Sequence, residues 1–105
     1  MRWEYMTPPD MRKMAREEHI CVLPLGSLER HGDHLPFGTD AMTAHRVACE
    51  AAELEPCAVF PPYWFGQIHE AACFPGAVAL PSRLTLELLE AVLSEIARNG
   101  FDKIV

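Results

Sequence analysis

Between Leu25 and Asp40 the chain reads Leu-Gly-Ser-Leu-Glu-Arg-His-Gly-Asp-His-Leu-Pro-Phe-Gly-Thr-Asp, which gathers five potential metal ligands, Glu29, His31, Asp33, His34 and Asp40. In extended backbone, Glu29 and His31 point to the same side roughly 7 Å apart along the chain, at about 3.3 Å per residue. Each can then serve a different ion of a pair spaced about 3.5–4 Å apart, as in two-metal hydrolases. Asp40 suits the shared position: a carboxylate has two oxygens, and a helix N-terminus behind it donates N–H groups. Gly32, Pro36 and Gly38 let the intervening loop fold back toward the first two. A mixture of imidazole and carboxylate favours Zn²⁺ or Mn²⁺ over Ca²⁺, which prefers oxygen alone. Spacing alone equally admits a solvated loop whose Glu, His and Asp never converge, because Glu-x-His is common.

The elements that would position this loop follow from the flanking sequence. Thr7, Pro8 and Asp10 form a capping arrangement opening a short helix over Pro9–Glu17. Ile20–Leu25 is an apolar run that reads as a buried strand, with Pro24 marking its end or an irregularity. Gly26–Thr39 has no periodicity and reads as a loop on that strand's end. Asp40 opens a helix to Leu54, and Cys57–Phe60 forms a second short strand before Pro61-Pro62. A second loop, Tyr63–Pro75, precedes an extended segment over Gly76–Leu80. Ser82 then caps a helix in which Leu88, Leu89, Val92, Leu93 and Ile96 recur at helical spacing before Gly100. Phe101–Val105 begins a third strand. Helices alternating with short apolar strands imply an α/β fold with a mainly parallel sheet.

With 105 residues, 50% hydrophobic and 23% charged, the chain fits one small globular domain. A formal net charge of −6 and the lack of a Lys/Arg cluster argue against nucleic acid as a partner. No long apolar run and no basic, apolar leader appear, so the expected location is the cytoplasm, with no membrane partner. Cys21, Cys49, Cys57 and Cys73 match neither zinc-ribbon spacing nor a disulfide scaffold, and read as reduced thiols.

The motif Leu23-Pro24-Leu25-Gly26-Ser27-x-Glu29-x-His31-Gly32-x-His34-Leu35-Pro36, followed by Thr39-Asp40, resembles the first signature of the creatininase family. Pro62-Tyr63-x-x-Gly66 with Phe74-Pro75-Gly76 resembles the second, and the similarity spans nearly everything from residue 20 onward. The resemblance implies a three-layer α/β/α sandwich, of which residues 1–105 are the N-terminal part of a single domain. It also implies a dinuclear metal centre whose hydroxide hydrolyses a cyclic amide or related non-peptide C–N bond. By position, Glu29 resembles the ligand of one ion, His31 that of the other and Asp40 the bridge; the ions implied are Zn²⁺ and/or Mn²⁺, with Fe²⁺ admitted. The implied partners are a small amide substrate and, at full length, other copies in a homo-oligomer.

The pattern departs from the family in three places. Arg30 and Asp33 stand where Gln and Pro are commoner. Ile68-His69-Glu70-Ala71 replaces the Ser-Pro-Glu-His of creatinine-hydrolysing members, and Ala77 the Thr after Phe-Pro-Gly, which points to a different substrate. A further His and Glu ligand is expected on a glycine-rich loop after the third strand, within which this sequence stops, so the 105 residues alone are expected to be inactive. His69 and Glu70 are candidate substrate-binding residues, or an exposed loop pair. His34 either orients a ligand or is a structural loop histidine. The alternative to an enzyme is a metal-binding or interaction module in which Glu29, His31 and Asp40 hold one ion weakly.

Overall fold

In the computed structural model, which describes residues 1–105, the elements run α1 (Pro8–Glu17), β1 (Ile20–Val22), α2 (Thr39–Leu54), β2 (Ala58–Val59), α3 (Ser82–Arg98) and β3 (Lys103–Ile104). Single 3-10 turns occupy Trp3–Tyr5 and His69–Ala71. The strands are parallel, in the order β2-β1-β3, with Cys21 facing Ala58 on one side and Ile104 on the other.

Alternation along β1 explains the layering. Cys21 and Leu23 join Ala15, Ile96 and Phe101 on one face, covered by Met11 and Met14 of α1 and by Leu88, Leu89, Val92 and Leu93 of α3. Ile20 and Val22 turn to the other face and meet Ala48, Cys49 and Ala52 of α2, with Cys57 and Val59. The sheet is thus the middle of three layers, as an apolar strand buried on both faces requires. Trp3 closes the α1/α3 side, its ring 5.3 Å from Phe60 and 5.4 Å from Phe101.

Local sequence accounts for the helix ends. The Thr7 N–H donates to Asp10 Oδ2 at 3.0 Å, and the Asp10 N–H donates to Thr7 Oγ1 at 3.4 Å, completing the capping box. Gly100 ends α3 with φ +101°, a conformation open to glycine. Ser82 is not a cap: Pro81 takes that place, and its carbonyl accepts the Thr85 N–H at 3.0 Å.

Each strand expectation is cut back, Cys57–Phe60 to Ala58–Val59 and Phe101–Val105 to Lys103–Ile104. β1 stops at Val22 because Pro24 has no N–H to give; pairing resumes beyond it, where Tyr63 N–H donates to Pro24 O at 3.1 Å and Gly26 N–H to Tyr63 O at 3.0 Å. Gly76–Leu80 forms no strand. Its start is drawn into a turn by the Ala77 N–H to Phe74 O bond, and only Ala79 makes a bridge, to Gly66.

The topology locates the functional loop. From central β1 the chain crosses through α2 to β2 on one side, then through α3 to β3 on the other. The end of β1 is therefore a switch point, the place where open α/β sheets leave a crevice for ligands. The radius of gyration, 15.1 Å, exceeds the roughly 13 Å of a compact domain this long. Apolar side chains are accordingly left uncovered, among them Leu25, Phe65, Leu86 and Val105.

Candidate metal centre

The loop after β1 is held against α2 at close quarters. A Cβ on Gly26 would lie 2.1 Å from Ala41 N and 2.7 Å from the Asp40 carbonyl carbon, so only glycine lets the loop pass the first turn of α2. The Glu29 N–H then donates to Phe37 O at 3.1 Å, doubling the loop back, and Thr39 Oγ1 donates to Pro36 O at 2.6 Å where the helix begins. The second loop fixes the first from outside: Val78 N–H donates to Leu28 O at 3.0 Å, beside Glu29. Phe37 lies flat on Gly76 (φ +88°), where an added Cβ would meet the ring at 2.6 Å.

These constraints bring Glu29, His31 and Asp40 together, their ligand atoms all within 4.8 Å of one another. His31 Nε2 is 3.1 Å from Asp40 Oδ1 and 3.9 Å from Glu29 Oε1. The extended spacing between Glu29 and His31 is therefore closed by their side chains, which converge at the tips. Partial burial, together with the adjacent Asp40 carboxyl, pushes Glu29 above the ordinary carboxylate range; His31 opposes this, and the Glu70 charge adds to it.

The donor set fits a divalent cation. Although His31 Nε2 is near Asp40, the approach is off the axis of a hydrogen bond, and this buried nitrogen has no partner. Two acidic groups and an unpaired imidazole nitrogen facing one another are costly unless something positive sits among them. Bonds of about 2.0–2.2 Å put neighbouring ligands on zinc roughly 3–3.5 Å apart; the 3.1 Å between His31 and Asp40 lies in that range, and the 3.9 Å between His31 and Glu29 lies beyond it.

The remaining candidates divide. Glu70 lies within electrostatic reach of Glu29, on the 3-10 turn anchored by buried Ile68. His69 is on the same turn and exposed; its carbonyl accepts the Ala72 N–H at 3.2 Å, and its side chain makes no hydrogen bond or ion pair. Asp33 and His34 are exposed and outside the cluster. The two unusual residues of the first loop explain each other, since Arg30 pairs with Asp33 at 2.6 Å while its guanidinium lies 4.9 Å from the Phe74 ring centre. Sequence reasoning missed this link. Tyr63, in the Pro-Tyr-x-x-Gly motif, has a hydroxyl buried without a partner and lines a cleft of about 390 Å³ with Ser27, Asp40, Phe65, Thr85 and Leu89.

Comparison with known proteins supplies the family and the fold. The creatininase family model, described as creatinine amidohydrolase, matches residues 4–105. The 3-dehydro-scyllo-inosose hydrolase of Thermotoga maritima is 28% identical over 102 residues, covering 96% of this chain and 33% of that protein. The creatinine amidohydrolase of Pseudomonas putida is 26% identical over 98 residues, covering 89% and 38%. The mycofactocin precursor peptide peptidase of Mycolicibacterium smegmatis is 34% identical over 87 residues, covering 77% and 34%. A crystal structure of creatininase superposes with a TM-score of 0.91 at 22% identity, over 98% of this chain and 42% of that one. The chain thus spans about a third of the length of the curated relatives it matches. A family model that matches all but the first three residues establishes that this chain belongs to the creatininase family, and the shared fold agrees with it.

Proposed function

We propose that this chain carries part of the active site of a metal-dependent hydrolase of an amide C–N bond, in a cyclic amide or a related non-peptide substrate. Glu29 and His31 would each hold one of two divalent ions, and Asp40 would serve both. The observation that carries the reading is the convergence of these three side chains within 4.8 Å, with His31 Nε2 unpartnered. Zn²⁺ and Mn²⁺ are the proposed ions, with Fe²⁺ a third that suits the ligands; solved creatininases of the same fold include a Zn-Zn and a Mn form. When bound, such a pair supplies a nucleophile from water near neutral pH and polarises the carbonyl.

The chain's own groups do the positioning. Asp40 lies in the first turn of α2, where the helix dipole steadies its charge. His69 and Glu70 are the proposed substrate contacts, and the charge of Glu70 felt at Glu29 supports that placement for Glu70. Four free thiols support a reducing compartment, the cytoplasm. The test is hydrolysis of a panel of cyclic and linear amides by the metal-loaded, full-length gene product, wild type against Asp40→Ala. Turnover that is lost in the variant is expected; a wild-type protein that hydrolyses no member of the panel overturns the enzyme reading.

A further inference from the structure

The four thiols are not equivalent. Cys21 and Cys57 are buried, and desolvation pushes the first up to about 12 and the second above its ordinary value. Cys73 is exposed and makes no hydrogen bond. Cys49 differs from all three: its Sγ lies 3.7 Å from His45 Nε2 and 3.9 Å from Nδ1, one turn earlier on α2. The thiol also borders a second cavity, of about 210 Å³, bounded by Met1, Arg2, Ala52, Glu53 and Val59. Arg2 and Arg46 lie within electrostatic reach of the sulfur. Each is also paired with a carboxylate, Arg2 with Glu4 and Arg46 with Glu50, so their pull on a thiolate is partly spent. What remains particular to Cys49 is an imidazole within reach of its proton and an open cavity beside its sulfur.

We propose that Cys49 and His45 form a second reactive site, separate from the metal loop, that takes small soft electrophiles. In the step, the sulfur forms a bond to an electrophilic carbon, the leaving group departs with its electron pair, and a ring nitrogen of His45 takes the thiol proton. Nothing in the metal centre takes part: Asp40 opens α2, whereas Cys49 lies more than two turns further along it and borders a different cavity.

Iodoacetamide is a suitable probe, because attack on its methylene carbon releases iodide and consumes no oxidant. Its incorporation at each cysteine of the folded protein is followed at pH 7 by peptide mass spectrometry. Cys49 is expected to label at least about tenfold faster than Cys73, a threshold set below the roughly 10²–10⁴-fold that a fully placed base contributes. In His45→Gln its rate falls to that of Cys73, with an unchanged melting temperature. Cys49 labelling no faster than Cys73 in the wild type, or at the same rate in His45→Gln, overturns the proposal. The wild-type comparison decides the matter even where the variant does not fold.

Discussion

His31 Nε2 and Asp40 Oδ1 stand 3.1 Å apart, nine residues distant in sequence, yet the nitrogen has no hydrogen-bond partner. A structure built only for stability would turn the ring until the bond formed. Here the ring faces a point shared with Glu29 and Asp40, and the proposed metal site rests on that convergence.

Replacing one carboxyl separates the cost of the site from its use. In Glu29→Gln, at pH 7, the repulsion between Glu29 and Asp40 disappears while the side chain keeps its size. The metal-free protein is expected to melt higher than wild type, and added Zn²⁺ to raise its melting temperature by less. Paired thermal scans with and without Zn²⁺ check both.

Gly26→Ala tests the contact that sets the loop against α2. The added Cβ meets backbone atoms, Ala41 N at 2.1 Å and Ala41 Cα at 2.5 Å, so relief requires moving the loop or the helix. A loss of about 3 kcal/mol is expected, the upper end of ordinary overpacking, together with weaker metal binding. Gly66→Ala serves as comparison: its nearest neighbour, Ser27 Oγ, is a side-chain atom that can rotate away, and the loss is smaller. Urea unfolding of both variants gives the comparison.

For Arg30, cation–π contact and ion pair can be ranked. Asp33 is 90% exposed, so its pairing with Arg30 is screened, and Asp33→Ala is expected to change stability by less than about 0.5 kcal/mol. Coupling between Arg30 and Phe74, in a double-mutant cycle of their alanine variants, is expected at about 0.5–1 kcal/mol.

Acid stability reports the capping box. Hydrogen bonds from the Thr7 side chain and backbone hold Asp10 below the ordinary carboxylate range. A lowered folded value means the contribution is complete above the unfolded value, near pH 3.9, and vanishes as pH falls through the folded one. The melting-temperature advantage of wild type over Thr7→Ala is thus expected to be constant from pH 7 to 5 and to shrink below about pH 4.

Much of this architecture is legible because its signals are local. The Thr7–Asp10 box, the Leu and Val stripe of α3 and the glycine at 100 sit within a few residues of what they control. The apolar runs of β1 and β2, separated by a helix, suffice for a parallel pair. The convergence of Glu29, His31 and Asp40 is legible through the long motif that holds them, since spacing left it open. What escaped depends on distant partners: Leu28 with Val78, Phe37 with Gly76, Arg30 with Phe74, and a chain beyond Gly76 that turns instead of pairing as a strand. Pairwise contacts between two aperiodic loops leave no pattern in either one.

The central claim is that Glu29, His31 and Asp40 bind metal together. Its most direct test is the zinc content of the full-length gene product after dialysis against Zn²⁺ and then metal-free buffer, in wild type and in His31→Ala. The account predicts two ions per chain in wild type and fewer than two in the variant, at equal far-ultraviolet circular dichroism. Zinc retained equally by both proteins, or by neither, would contradict it.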